Sequence, residues 1–584
     1  MMPHRKIIFA VFLFILVATL GLYASGLGDL IWWGFYYFIS SFLVICNLIF
    51  QFISHPYVYP ILYALTYFSA LASLLTLIAT IIWYSKARRN FKSPVKKSGP
   101  SSIALILVLI VATGIFQVTI SIIDQNLLYS VSFYLFVVSI LFLAVRTVVN
   151  ISTSLAYKRK LDVERKYGLV SIVIPAFNEE KVIRDTIQSA LALTYPQKEI
   201  IVVDDGSTDS TLKIARETAI SKPVTVVSKP NGGKWSALNK GVESARGEII
   251  VCIDADTRLD KDAIEPMLRH FNDPKVAAVA GNVKVGNRNK TLTKLQALEY
   301  VTSINIQRRG ESCLNRITVV PGPLGAFRKS VIKEVGMYSP DTFAEDADLT
   351  LNILKAGYRI QYEPGSLGYT EVPTKLKDLA KQRYRWYRGL LQSMVKHKNM
   401  VFNSKYGLTG LFMIPWVFFN GIIFPWFTFL TLIWLLILMF NPLSGFVIYN
   451  PNPRGPPKEP PRGPPSGTPD GGGGPNNWLI GLPRGTQAAP QLIVEVNFFQ
   501  AIPVIYIFWF FIFLLLEIAV AIYAVHVDVK EKPRLVLYVV LYKFFYSYII
   551  ETFRLLSHLE EGLKYPMKWE TVGRIGDIDE KRVI

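Results

Sequence analysis

Apolar positions in this 584-residue chain show two textures, and the change between them divides it. Towards both ends the apolar residues run on for about 20 positions, the length of helix that crosses the hydrocarbon core of a bilayer. Five such runs lie near 7–24, 30–53, 57–84, 101–123 and 128–151, and three more lie near 409–441, 499–525 and 534–556. Between them the runs become short and β-branched: Leu169 to Ile174, Ile200 to Val203, Val224 to Val227, Ile249 to Ile253 and Val276 to Ala280, each followed by a helical segment. That alternation predicts an open, mainly parallel α/β sheet, in which ligands bind outside the carboxyl ends of the strands.

The pattern sets the expected boundaries. An N-terminal transmembrane region covers 1–156, an α/β domain 166–398, an interfacial and transmembrane segment 405–445, a linker 446–495, a transmembrane or interfacial region 496–560 and a tail 561–584. Lys86, Arg88, Arg89, Lys92, Lys96 and Lys97 follow the third run, and Lys158, Arg159 and Lys160 follow the fifth. Basic flanks mark the cytoplasmic side, so the α/β domain is expected in the cytoplasm of a multi-pass plasma-membrane protein. Counting back puts the N-terminus outside, against the preference of His4, Arg5 and Lys6, and a re-entrant first or second segment removes that conflict. The opening residues also resemble a signal peptide, but apolar residues resume soon after Ala24, Ser25 and Gly26, which favours an uncleaved span.

Pro415 and Pro425 predict that part of 409–441 lies in the interface before a span begins. Lys543, Glu551 and Arg554 are costly at mid-bilayer, so 534–556 reads as an interfacial helix or as a span lining a polar path. The Pro and Gly density of 450–475 predicts an extended linker, on the outer face by span counting.

Composition agrees with a membrane protein: 51% of residues are hydrophobic and mean hydropathy is +0.32. The net charge of +20 raises nucleic acid as a partner, but zinc-finger spacing and a strand-stacking aromatic signature are both missing, and much of the basic excess flanks apolar runs. Cys46, Cys252 and Cys313 make neither a disulfide framework nor a metal cluster.

The chemistry lies after the short runs. Pro175-Ala176-Phe177-Asn178-Glu179-Glu180 follows the first, Asp204-Asp205-Gly206-Ser207-Thr208-Asp209 the second, Asn231-Gly232-Gly233-Lys234 the third and Asp254-Ala255-Asp256 the fourth. Alone, each has a plain structural reading as a turn or a helix cap. Together they put acids and amides at one end of four strands. Two carboxylates two residues apart can hold a hard cation such as Mg2+ or Mn2+, and Lys234 at a helix start suits a diphosphate. Glu345-Asp346 alone is an acidic pair at a helix N-terminus. Arg383 and Arg385 are either paired phosphate donors or positive-inside anchors, with Trp386 in an aromatic belt.

PAFNEE, DDGSTD, NGGKWSALNKG and DADT, then Glu345-Asp346 and Gln382-Arg383-Tyr384-Arg385-Trp386, resemble in this order the family 2 glycosyltransferases. The last two resemble the signatures of the processive branch, which makes cellulose, chitin, hyaluronan and poly-N-acetylglucosamine. The resemblance implies a GT-A α/β nucleotide-diphospho-sugar transferase domain inserted between bundles of transmembrane α-helices. It also implies that Asp205 contacts the nucleotide base, supported by Asp204 and with Glu179 nearby, and that Lys234 lies beside the nucleotide. Asp254 and Asp256 would hold the metal and donor diphosphate, with Asp256 the nearer ligand, while Gln382, Arg383 and Arg385 meet the pyrophosphate. Asp346, beside Glu345, would be the general base, and Trp386 would stack on the acceptor's terminal sugar. Gly325 and Ala326, in the run Pro321 to Arg328, would let the backbone approach that acceptor. Lys568, Trp569, Glu570, Thr571 and Arg574 resemble a tail of poly-N-acetylglucosamine synthases that packs near the cytosolic active site, which is met if 534–556 is interfacial or re-entrant.

The function so implied is inverting, metal-dependent transfer from a UDP-sugar such as UDP-N-acetylglucosamine to a growing polysaccharide, coupled to export. One base without a covalent nucleophile means a single displacement. Expected partners are the nucleotide sugar, a polysaccharide or glycolipid acceptor, the lipid bilayer and accessory export proteins, and not nucleic acid. Non-processive transfer to a lipid carrier is disfavoured by Gln382 to Trp386, and a non-catalytic scaffold or transporter by the full set of acids.

Overall fold

In a computed structural model the chain is described over 125–157, 168–439, 502–565 and 574–578. The apolar runs before residue 125, the linker 446–495 and Lys568 to Thr571 lie outside the described residues.

One sheet of eight strands organises the middle domain, in the order β3-β2-β1-β4-β7-β6-β8-β5. The strands are β1 Val170–Ala176, β2 Lys198–Asp204, β3 Val224–Ser228, β4 Ile249–Cys252, β5 Thr257–Leu259, β6 Val276–Val285, β7 Gly325–Arg328 and β8 Arg359–Thr370. The five short apolar runs become β1 to β4 and β6. Pairing is parallel through β3, β2, β1 and β4, but β7 runs antiparallel to both β4 and β6, so the sheet is mixed. Because β7 reverses between them, β6 and its parallel neighbour β8 point the same way as β4. β1 to β4, β6 and β8 therefore all present their carboxyl ends at one rim.

The inner strands β1, β2 and β4 are apolar on both faces because helices cover both, whereas the edge strand β3 is partly exposed. Ile172 and Ile174 of β1 face a core shared with Ile183, Ile187 and Met267, while Val173 between them faces Ala237, Leu238 and Leu349. Each such buried aliphatic side chain contributes about 1.5–3 kcal/mol. Helix Lys234–Ser244 lies close on the sheet: a Cβ at Gly241 would stand 2.2 Å from Val173 Cγ1. That approach aims the helix start, and Lys234, at the carboxyl rim.

Two helical stretches among the described residues, Thr409–Thr431 and Pro533–Gly562, are long and apolar enough to cross a membrane by length and composition. The first contains π turns at Thr409–Met413 and Phe419–Ile423, on either side of Pro415, whose ring nitrogen cannot donate to the turn before it. Helix Ile502–Val527 reaches the sheet through a charged elbow. There Lys284 of β6 meets Asp528 at 3.3 Å and Glu531 at 3.2 Å, Arg288 donates to Glu531 at 2.9 Å, and Lys530 meets Asp260 at 2.6 Å.

Candidate active site

At the ends of β2 and β3 the loops are stitched by acids. The Asp205 carboxylate accepts from Lys229 Nζ at 2.6 Å, Gly232 N at 3.1 Å and Gly233 N at 2.8 Å. Asp204 accepts from Ser228 Oγ at 3.2 Å and Ser207 N at 3.4 Å. Gly206 is required here: its φ is +73°, and a Cβ would lie 2.8 Å from Asn231 N. Asp205 is thus committed to holding the loop that leads into Lys234. Lys229 was missed by sequence reasoning, since a lysine before Pro230 carries no signature.

Four segments then meet around Lys234. Its Nζ lies 2.7 Å from Asp254 Oδ1, after β4, and 3.1 Å from Glu345 Oε1, at the start of helix Glu345–Lys355. The Gly322 N–H donates to Asp346 Oδ2 at 3.3 Å, and a Cβ at Gly322 would stand 2.7 Å from Lys234 Nζ. Burial, then the adjacent Glu345, push the Asp346 carboxyl up to about 6, with Lys234 pulling the other way. Burial drives the Lys234 ammonium down, but Asp254, Glu345 and Asp346 together outweigh it and hold the charge above the ordinary lysine range. Asp348, on a different face of the same helix from Asp346, accepts from His397 Nε2 and Lys396 Nζ, each at 2.8 Å, which ties this helix to the end of Leu376–Lys396.

Beside this cluster stands a second one, of carboxylates around a guanidinium. Arg574 pairs with Asp256 and has its Nε 3.7 Å from Glu179 Oε2. Glu371, the residue after β8, accepts from Ile575 N at 2.7 Å and Gly576 N at 3.0 Å, and Ile578 packs against Leu367 and Tyr369. The short segment 574–578 is therefore strapped along the rim. Burial, reinforced by Asp256, Asp254 and Glu371, pushes the Glu179 carboxyl up to about 8 despite Arg574, and burial likewise raises Asp256. Glu179 Oε2 is buried without a hydrogen bond among the described residues. A crowd of carboxylates that already gathers one cation, with a spare acceptor oxygen, fits a divalent metal held jointly with a diphosphate. No group of three or more His, Cys, Asp or Glu side chains placed to hold an ion by themselves occurs among the described residues. Glu371 was missed because β8 was not foreseen; as an acid leaving the carboxyl end of a strand, it obeys the same rule as Asp205 and Asp254.

The Gln382 to Trp386 segment divides. Arg383 is fully buried, donating to Glu299 at 2.6 Å and Gln382 Oε1 at 3.0 Å, with its guanidinium 4.1 Å from the Trp386 ring centroid. These two side chains serve each other and Trp386, which corrects the expectation that both meet a pyrophosphate: the Arg383 fork is taken up by Glu299 and Gln382 and its face by Trp386. Arg385 is the member whose charge reaches Lys234. Gly325 and Ala326 are corrected as well. They form β7, buried and hydrogen-bonded to β4 and β6, and are not an acceptor-side loop. The small residue that does open the site is Gly322.

The sheet, its acid rim and the Lys234 cluster define a GT-A-like α/β domain of the nucleotide-sugar transferase class. Residues 171–336 match the family model described as glycosyl transferase family 2, so the chain carries a glycosyltransferase domain of that family. It is homologous to poly-β-1,6-N-acetyl-D-glucosamine synthases. The Staphylococcus epidermidis synthase is 37% identical over 222 residues, 38% of this chain and 54% of that protein. The synthase of Staphylococcus aureus strain COL is 35% identical over 260 residues, 44% of this chain and 62% of that protein. The chain thus spans between half and two thirds of the length of these relatives. Among solved structures, a mannosyltransferase from Pyrobaculum calidifontis in complex with GDP-mannose and Mn2+ aligns with a TM-score of 0.45 and 22% identity, over 54% of this chain and 87% of that one.

Proposed function

We propose that this domain transfers N-acetylglucosamine from UDP-N-acetylglucosamine to a hydroxyl of a growing polysaccharide, with inversion, at the cytoplasmic face of the plasma membrane. The observation that carries the reading is the single cluster in which Asp254, Lys234, Glu345, Gly322 and Asp346 meet. A leaving diphosphate needs positive charge and the attacking hydroxyl needs one proton removed, and the cluster offers both within a few side chains.

Lys234 and Arg385 face the diphosphate. Asp254 and Asp256, with Glu179 close by, would hold Mg2+ or Mn2+, and the bound cation neutralises charge on the leaving group. Asp346 takes the proton of the acceptor hydroxyl, and its raised pKa keeps it a competent base near neutral pH. Trp386 offers its face to the acceptor sugar, fixed from behind by Arg383. Arg574 gives up Asp256 when the loaded donor arrives. The homology to polymer synthases and the apolar helices support a processive enzyme whose membrane helices pass the glycan outward, with accessory export proteins as further partners.

The test is a panel of labelled nucleotide sugars offered to protein purified in vesicles, with products sized and digested by linkage-specific hydrolases. UDP-N-acetylglucosamine should yield long, β-1,6-linked chains, chelation should stop synthesis, and Mn2+ or Mg2+ should restore it. A product lengthened by a single sugar would remove the processive claim, and activity that survives exhaustive chelation would remove the metal.

A further inference from the structure

Helix Ile306–Cys313 packs against the apolar helix Gln125–Ala156 and against β8, and its polar side chains meet different fates. Arg309 donates from Nε to Ser154 O at 3.2 Å and lies over the Tyr157 ring, 4.8 Å from its centroid. The Glu311 carboxylate accepts from Thr318 N and Thr318 Oγ1, each at 2.9 Å. Arg308 differs from both: its Nη1 is buried and meets no acceptor among the described residues. A guanidinium carries five donors in a fixed fork, and leaving one dry without a partner costs about 1–3 kcal/mol or more.

The surroundings say what is missing. Glu311 anchors Thr318, the start of the stretch that ends at Gly322 on Asp346 Oδ2. Gly310, two residues on, rests on Thr153 of helix Gln125–Ala156, where a Cβ would lie 2.3 Å from Oγ1. The π turn Tyr300–Asn305 precedes the helix, a local irregularity common at functional sites. Arg308 feels the charges of Glu311 and Asp346 and the hydroxyls of Tyr362 and Tyr300, while burial works against its own charge. It therefore belongs to a helix seated on the apolar helix and lies within range of the Asp346 charge. Lys234, in contact with Asp254, already serves the diphosphate.

We propose that Arg308 binds the acceptor glycan, donating from Nη1 to a hydroxyl or acetamide oxygen of the sugar units that lie between Asp346 and helix Gln125–Ala156. This assignment rests on the polymer-synthase reading above. A neutral chain rich in acceptor oxygens satisfies the buried donor without adding a charge near Asp346.

The experiment uses the full chain in vesicles, with a β-1,6-linked N-acetylglucosamine tetrasaccharide as the probe. Arg308→Gln should raise the acceptor KM roughly tenfold, as expected for the loss of a charged hydrogen bond of about 1.5 kcal/mol or more. Donor KM and the slow release of UDP in the absence of acceptor should stay within about twofold. Arg308→Lys should fall between Gln and wild type. Saturation-transfer NMR with UDP present should lose the tetrasaccharide signal in Arg308→Gln. An unchanged acceptor KM, or a matching rise in donor KM, would overturn the assignment. Active wild type with an indifferent Arg308→Gln sinks this inference alone, whereas wild type that makes no polymer from any nucleotide sugar sinks the functional reading beneath it.

Discussion

The pH dependence of turnover tests the base most sharply. As the proposed base, Asp346 would work only when deprotonated, and its pKa is raised to about 6 by burial and by Glu345. With that midpoint about a tenth of the enzyme holds a free carboxylate at pH 5, and about nine tenths at pH 7. An ordinary aspartate, with a pKa near 3.9, would be more than nine tenths ionised already at pH 5. The measurement is kcat/KM from pH 4.5 to 8, because kcat/KM reports groups in the unliganded enzyme, to which the midpoint of about 6 applies. Glu179, raised to about 8 in the same site, adds a second limb above that of Asp346. Asp346→Asn should lose about 10²–10⁴-fold at every pH. Lys234→Met should move the midpoint of the surviving activity above 6, since the ammonium holds the carboxyl down. A kcat/KM that stays flat between pH 5 and 8 would refute the assignment of Asp346 as the base.

Other perturbations follow from single contacts. Glu371→Ala removes two charge-assisted hydrogen bonds to the strap 574–578, together worth about 3 kcal/mol, so amide exchange at Ile575 and Gly576 should quicken roughly a hundredfold. Unchanged protection would mean that other contacts hold the strap. Gly322→Ala places a methyl 2.7 Å from Lys234 Nζ and should cut transfer at least tenfold with thermal unfolding preserved, because the clash falls on a flexible side-chain end. Glu531, held down to about 2 by Arg288 and Lys284 against its burial, binds the elbow. Its depressed pKa contributes about 3 kcal/mol above pH 4.5, lost as pH falls from there through 2. Glu531→Gln should therefore unfold earlier than wild type at pH 7, and the difference should close toward pH 2.

Much of the sheet was legible because β1, β2, β4 and β6 are buried on both faces and read as short apolar runs, while β3, partly exposed at the sheet edge, is still rich in β-branched residues. β5 and β7 are too short to show a period, with three and four residues. β8 is broken by Pro364 and Gly365, at the register shift opposite Gly281 and Asn282. The antiparallel insertion of β7 could not be read locally, since strand order depends on contacts far apart in the chain. The site was legible where chemistry follows a strand end, as at Glu179, Asp205 and Asp254. It was opaque where function depends on burial. Nothing local to Arg383 announces that Glu299 will hold it inside, or that Gly325 will be sheet and Gly322 site. Arg574 was expected near the site by resemblance, but its pairing with Asp256 is visible only in three dimensions.

In the proposed mechanism Asp256 belongs with the donor and Asp346 with the acceptor proton, so binding and chemistry are separable. The direct measurement is Mn2+-dependent UDP binding alongside polymer synthesis for wild type, Asp256→Asn and Asp346→Asn. Asp346→Asn should bind UDP as wild type does and make no polymer, while Asp256→Asn should lose both. Polymer from Asp346→Asn, or undiminished Mn2+-dependent UDP binding by Asp256→Asn, would contradict it.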